Sequence, residues 1–256
     1  MIAVRISTFN VNSLRSRLPV LERWLPAAGV DVLAVQETKV QDAEFPSESV
    51  EKLGYTAVFR GEKSYNGVAI LSKKSPDEVI YGFADEPKWD TRLIAARFAD
   101  LWVLNTYVPQ GKELTHPDYQ AKKEFLRRTA AMIEPLMSEK LLWLGDLNVA
   151  PTELDVTNPK NKADHVCFAL ELRELFAGLS APLTDLLRVF HAGEAVYSFY
   201  DYRVKNALAR NIGWRIDHML ATPPLASLCS DCRIDTEPRG WEKPSDHTPM
   251  LADFNL

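Results

Sequence analysis

Between Gly67 and Val108 the chain reads GVAILSKKSPDEVIYGFADEPKWDTRLIAARFADLWVLNTYV. Three apolar runs, Val68–Leu71, Leu93–Phe98 and Leu101–Val108, follow one another here with no helix-period segment between them. Parallel neighbours need a crossover of a dozen or more residues, usually helical, so this stretch predicts an antiparallel meander within mixed sheets. Working outward, strands are predicted at Val4–Phe9, Val30–Val35, Leu141–Leu144, Trp214–Leu220 and Met250–Phe254. Leu18, Leu21, Trp24, Leu25 and Ala28 lie at helical spacing, as do Phe125, Ala130, Ile133 and Met137 after Pro117. Shorter helices are expected over Phe168–Leu179 and Thr184–Phe190. The class is α/β in the broad sense (α+β), with mixed sheets covered by helices.

With 256 residues, 46% hydrophobic and 25% charged, the composition excludes disordered, collagenous and disulfide-scaffold chains. No repeat, low-complexity tract or Pro/Gly-rich linker divides it, so one domain spanning 1–256 is expected. The net charge of -5 argues against indiscriminate coating of nucleic acid or anionic lipid, while allowing a local basic groove. The opening Met1-Ile2-Ala3-Val4-Arg5-Ile6 enters a strand-like alternation rather than the apolar core of a signal peptide. No apolar run approaches the ~18–20 residues of a membrane span. Cys167, Cys229 and Cys232 are a small, odd set, as in a reducing compartment. A cytoplasmic monomer without membrane association is therefore expected. Cys229 and Cys232 form a C-x-x-C, but with no second ligand pair at similar spacing they read as inert.

Polar residues collect where the apolar runs stop. Asn10 and Asn12 follow the first, Gln36 and Glu37 the second, Tyr107 ends the meander, and Asp146 and Asn148 follow Leu141–Leu144. Asp217 interrupts Trp214–Leu220, and Ser245-Asp246-His247 precedes the last run. A carboxylate inside an apolar run is costly without a partner, and Asp217 is expected to pair with His247. His116, His191 and His218 read as surface or edge residues. No serine or cysteine nucleophile with a neighbouring base is present. The set suits hard metal and phosphate chemistry: a carboxylate for Mg²⁺, another to orient water, and amides and imidazole for developing oxyanions.

The segments TFNVNSLR (8–15), VQETK (35–39), GVAIL (67–71), NTYVP (105–109), LGDLNVA (144–150), GWRID (213–217) and KPSDH (243–247) together resemble the exonuclease III family of DNA-repair nucleases. The resemblance implies a four-layer αββα sandwich of two mixed, mainly antiparallel sheets, with the active site where the sheets open at one end. It also implies a Mg²⁺-dependent phosphodiesterase acting on duplex DNA, with Mn²⁺ able to substitute. On that resemblance Glu37 is the principal metal ligand, with Asn10 and Asp246 beside it. Asp146 positions or deprotonates the attacking water, Asn148 and Tyr107 contact the scissile phosphate, and Asp217 orients His247. The general base stays open between Asp146 and His247. Ser13 and Asn12 depart from the family's commoner Gly and Asp, which bears on metal affinity.

The same resemblance places Arg15, Lys39 and Asn12 against DNA. Lys112 and Arg203, on loops, are further candidates, and Lys122-Lys123 and Arg127-Arg128 read as a solvated helix face. Phe199, Trp214 and Ile216 match the apolar wall that receives an extrahelical sugar. Opposite them, His165 and Cys167 are bulkier than the family's usual residues. A narrowed pocket favours 3′→5′ exonuclease and 3′-end cleaning over abasic-site incision; the alternatives are an abasic-site endonuclease and, more remotely, an inositide or phospholipid phosphoesterase.

Overall fold

Strands covered on both faces need apolar side chains in both directions, and the continuous runs become central strands for that reason. The structure, a computed structural model, describes residues 2–256, so Met1 of the opening run lies outside the described residues. In chain order the elements are β1 (Ala3–Asn10), α1 (Leu14–Ala28), β2 (Val32–Gln36), α2 (Ser47–Lys52), β3 (Thr56–Arg60), β4 (Val68–Ser72), β5 (Glu78–Tyr81), β6 (Leu93–Phe98) and β7 (Leu101–Tyr107). There follow α3 (Pro117–Ile133), β8 (Lys140–Asp146), α4 (Leu170–Ser180), β9 (Thr184–Asp185), α5 (Leu186–Phe190), β10 (Asp217–Ala221), α6 (Pro223–Ala226), β11 (Cys229–Ile234) and β12 (Met250–Asn255).

The first sheet has the order β11-β12-β1-β2-β4-β3 and the second β5-β6-β7-β8-β10-β9. β1–β2 and β7–β8 pair in parallel, joined by α1 and α3 as crossover helices. Gly29 ends α1 at φ 64°, its N–H donating to Leu25 O, a left-handed cap that glycine adopts without steric penalty. Between the sheets, Ile6, Ala34 and Ile70 meet Ala96, Leu142 and Leu144. On the outer faces Leu33 and Val35 pack with Leu21 and Trp24 of α1, and Trp143 packs with Phe125 of α3 and Phe176 of α4. Alternation along one strand thus serves two layers, and the result is the αββα sandwich.

Several expectations are corrected. Val68–Leu71 belongs to the first sheet, paired with β2 and β3, so the chain changes sheets after Ser72 and the meander is β5-β6-β7. β3, β5, β9 and β11 had no apolar run to mark them, and all four are sheet edges, where short or charged strands avoid further pairing. Of Trp214–Leu220 only Asp217 onward joins the sheet, Trp214 bridging instead to Phe199 and Val156. Met137 falls beyond α3, after a short 3-10 turn. His218 is buried, with Nε2 2.8 Å from Val149 O. Lys122 and Lys123 are also buried, whereas Arg127 is exposed. Among the described residues no helix is long and apolar enough to cross a membrane.

The segment between β8 and β10 contains long irregular stretches on either side of α4, β9 and α5, held by apolar contacts of Val156, Val166 and Phe168 and by charge. Arg215 is 1% exposed; its Nε lies 2.6 Å from Asp155 Oδ1 and its Nη1 2.7 Å from Asp185 Oδ2. Asp155 also pairs with Arg188 and accepts from the Thr152 N–H and hydroxyl at 2.8 and 2.7 Å. Burial pushes the Asp155 carboxyl up, but Arg215, Thr152 and Arg188 outweigh it and hold it well below the usual carboxylate range. That stability is complete above the ordinary value of 3.8 and is lost as pH falls through the depressed one. Asp155→Ala leaves the buried Arg215 guanidinium with Asp185 as its remaining carboxylate partner and should lower unfolding free energy by about 2–3 kcal/mol in a denaturant titration. A loss under about 1 kcal/mol, the value of an exposed pair, would show that the network contributes little.

Candidate active site

Strand register assembles the site. Asn10 is opposite Gln36 at the parallel ends of β1 and β2, so Glu37 leaves the first sheet beside Asn10. In the second sheet Tyr107 and Asp217 are both register partners of Asp146. Glu37, Lys39 and Asn148 have φ of 52° and Asn12 46°, left-handed turns that are uncommon outside glycine and that carry the chain sharply off the strand ends. His247 comes from the loop before β12. Ser245 anchors that loop, its hydroxyl donating to Asn10 O at 2.7 Å and accepting the His247 N–H at 3.2 Å.

The side chains form a row across the gap between sheets. Asn10 Nδ2 donates to Glu37 Oε1 at 2.8 Å and to Asp146 Oδ2 at 2.9 Å. His247 Nε2 lies 3.7 Å from Asp146 Oδ2, and its Nδ1 2.8 Å from Asp217 Oδ2. Asn148 N–H donates to Asp146 Oδ1 at 3.0 Å, and its Nδ2 to Val108 O at 3.0 Å. Burial lowers the affinity of His247 for a proton, but Asp217 and Asp146 reverse this and keep the imidazole cationic. Burial lifts the Asp146 carboxyl, and Asp217 and Glu37 lift it further against the pull of His247. Tyr107 stays a neutral phenol, its pKa raised by burial and then by Glu37 and Asp146.

Glu37, Asp146 and His247 bring candidate ligand atoms within 4.8 Å of one another; a cationic imidazole has no lone pair to give, so the two carboxylates are the members of this set able to hold a cation. Lys39 Nζ rests 2.8 Å from Glu37 Oε2 and also donates to Asn12 Oδ1 at 2.5 Å. Lys39 thus compensates the Glu37 charge, and the hard carboxylate oxygens of Glu37 and Asp146 are the donor type that suits a small divalent cation. Asn10 Oδ1 accepts the Asn12 N–H at 3.0 Å, so Asn10 bridges the two carboxylates by its amide N–H groups. Asp246 stands one step out, its Oδ1 taking Asn12 Nδ2 at 2.9 Å.

A cleft of about 730 Å³ opens over this row, lined on one side by Phe199, Trp214 and Ile216. His165 lies over the Trp214 ring, centroids 4.5 Å apart, and burial, then Lys162 and Lys122, lower its pKa to about 4. Cys167 is turned inward, 3% exposed, its thiol 3.7 Å from Asn148 Oδ1. Arg203, which lines the cleft, pairs with Asp201, and the predicted DNA contacts Arg15 and Lys112 pair with Glu44 and Asp118.

The model of the endonuclease/exonuclease/phosphatase family matches residues 7–247. The chain belongs to that family. It is similar to exodeoxyribonuclease III of Haemophilus influenzae, 35% identical over 98% of this chain and 100% of that protein. Among solved structures it is similar to an AP endonuclease from Archaeoglobus fulgidus (44% identity, TM-score 0.96, 99% and 100% of the two chains). A 3′ phosphatase from Neisseria bound to a product DNA hairpin is also similar (36% identity, TM-score 0.93, 99% and 100%).

Within this family member the structure brings Asn10, Glu37, Tyr107, Asp146, Asn148, Asp217 and His247 to one place. Sequence reasoning missed Arg92, whose Nη1 donates to Tyr107 O at 3.1 Å and whose guanidinium lies 4.7 Å from the Tyr107 ring centroid. It also missed Ser245 as an anchor, although Ser245 adjoins Asp246 and His247. Asp217→Asn removes a strong upward pull on the His247 imidazole, so its proton leaves at lower pH. If the cation is the working form, activity holds below that pKa and fails above it. The alkaline limb of the rate profile should therefore move to lower pH, with kcat down about 10²-fold or more; an unshifted limb would exclude this role.

Proposed function

We propose that this protein is a metal-dependent DNA-repair phosphodiesterase of the exonuclease III type, acting on duplex DNA chiefly at 3′ ends. The observation that carries it is the buried row Glu37–Asn10–Asp146–His247–Asp217 beneath an open cleft, a constellation suited to in-line attack of water on a phosphodiester. A divalent ion, Mg²⁺ or Mn²⁺, held by Glu37 would neutralise charge on the phosphate oxygens. Asp146, with its carboxyl lifted by burial, orients the water and takes its proton. His247, kept cationic by two aspartates, is a proton and hydrogen-bond donor rather than the base. Asn148 and the neutral Tyr107 phenol donate to the phosphate as its charge develops. Arg15, Lys39, Lys112 and Arg203 supply the phosphate contacts of bound DNA, the pairs of Arg15, Lys112 and Arg203 exchanging a carboxylate for the backbone. Asp146→Asn should preserve duplex binding yet lower kcat by about 10³-fold or more, and excess chelator should abolish cleavage. Near wild-type turnover in either condition would remove the mechanism.

The ranking of activities rests on His165. On the family resemblance a flipped-out sugar lies against Trp214, and the neutral His165 ring, tilted 40° to the indole with centroids 4.5 Å apart, narrows that side of the cleft. A terminal nucleotide needs less flipping. The opposing reading, an abasic-site endonuclease, is favoured by the similarity to the Archaeoglobus fulgidus AP endonuclease and by the volume of the cleft. His165→Gly should raise incision of an internal abasic analogue, relative to 3′ trimming, by about 5- to 150-fold, the rate equivalent of relieving 1–3 kcal/mol of overpacking. Cys167→Gly should not, because the thiol already faces inward. Equal incision and trimming by the unaltered protein would establish the endonuclease reading instead.

A further inference from the structure

Lys122 is 0% exposed, although it sits in the Lys-Lys-Glu segment of α3 that looks most like a solvated surface. A buried ammonium is unstable unless its donors are satisfied, and among the described residues this one has no carboxylate partner. Its three N–H donors are matched by three backbone carbonyls: Gln110 O at 3.1 Å, Asn148 O at 2.6 Å and Val166 O at 2.7 Å. Cys167 Sγ stands 3.8 Å from the same nitrogen.

Those carbonyls belong to the separate segments that build the phosphate side of the cleft. Gln110 follows β7 between Tyr107 and Lys112. Asn148 follows β8 and Asp146. Val166 lies between His165 and Cys167. At φ 52° the Asn148 backbone is in the left-handed region, which for an L residue needs outside support. Its carbonyl on Lys122, its N–H on Asp146 and its Nδ2 on Val108 O supply that support and aim the amide at the cleft. The Asn148 Oδ1 and Cys167 Sγ contact at 3.7 Å closes the loop around the ammonium. Other bonds join the segments in pairs, such as Ala150 N–H to Cys167 O at 2.7 Å; Lys122 is the side chain that bonds to all three.

We propose that Lys122 is a positioning residue for phosphodiester hydrolysis: its ammonium knots three loop carbonyls together and thereby holds Asn148 on the scissile phosphate and the His165 wall at its distance from Trp214. The proposal rests on the nuclease reading of the site. No proton of Lys122 enters the reaction; the effect is transmitted through the Asn148 peptide.

The test is a double-mutant cycle with 3′ trimming of a duplex as the assay, using the wild type, Lys122→Met, Asn148→Ala and the double variant. Methionine keeps length and removes all three donors. Lys122→Met should unfold cooperatively and bind duplex with KM within about threefold of wild type, while kcat falls about 10- to 100-fold, the scale of a small misplacement. In the Asn148→Ala background the same change should lower kcat less than about threefold further, because coupled residues are non-additive. Lys122→Gln, which retains donors, should fall between. Penalties that multiply in the double variant, or a kcat for Lys122→Met within about threefold of wild type, would overturn the proposal. So would failure of both Met and Gln variants to fold, since Lys122 would then be structural alone. A wild type that does not cleave DNA at all would instead refute the nuclease reading.

Discussion

Asp146 and Asp217 face each other across β8 and β10 as register partners, both nearly withdrawn from solvent. Two buried carboxylates at this spacing are unstable together unless a cation stands between them. His247 supplies it, yet His247 comes from the loop before β12, a strand of the other sheet. The charge balance of the site therefore holds only if the two sheets keep a fixed separation. A buried polar link sets it: Gln36 Nε2 donates to Thr8 Oγ1 at 2.9 Å within its own sheet and to Asn105 Oδ1 at 2.7 Å across the gap. Asn105 Nδ2 returns the connection to Val35 O and Ala69 O at 3.0 and 2.9 Å. Directional bonds locate sheets more narrowly than apolar contact alone, because hydrophobic attraction has no preferred direction.

The loops above this floor are organised differently from the sheets below. They bury apolar side chains such as Val149, Val156, Val166 and Phe168, and buried cations fasten their irregular backbone: Arg215 gathers Asp155 and Asp185, and Lys122 gathers three carbonyls. Such arrangements are sensitive to removal of either partner, since an unpaired buried charge is worse than none. They give rigid placement to the irregular backbone around Asn148.

One neutral imidazole stands beside the apolar side of the cleft. His165 is kept uncharged by burial and by Lys162 and Lys122, and its ring is tilted 40° to that of Trp214. The row of polar side chains and the His165–Trp214 wall come from different segments of the chain.

The central strands and several polar side chains of the cleft were legible in the sequence, because burial on both faces leaves a continuous apolar run and Glu37, Asp146 and Asn148 stand where such runs end. The four sheet edges were not, since an edge strand such as Glu78–Tyr81 needs apolar residues on one face at most. Tertiary structure alone decided that Val68–Leu71 joins the first sheet, that Lys122 turns inward, that Cys167 faces the core and that His165 covers Trp214. Periodicity records how much of each side chain is buried and on which face. It does not record the partner, which is chosen when distant segments meet: Asn12 and Asp246, bonded at 2.9 Å, are 234 residues apart.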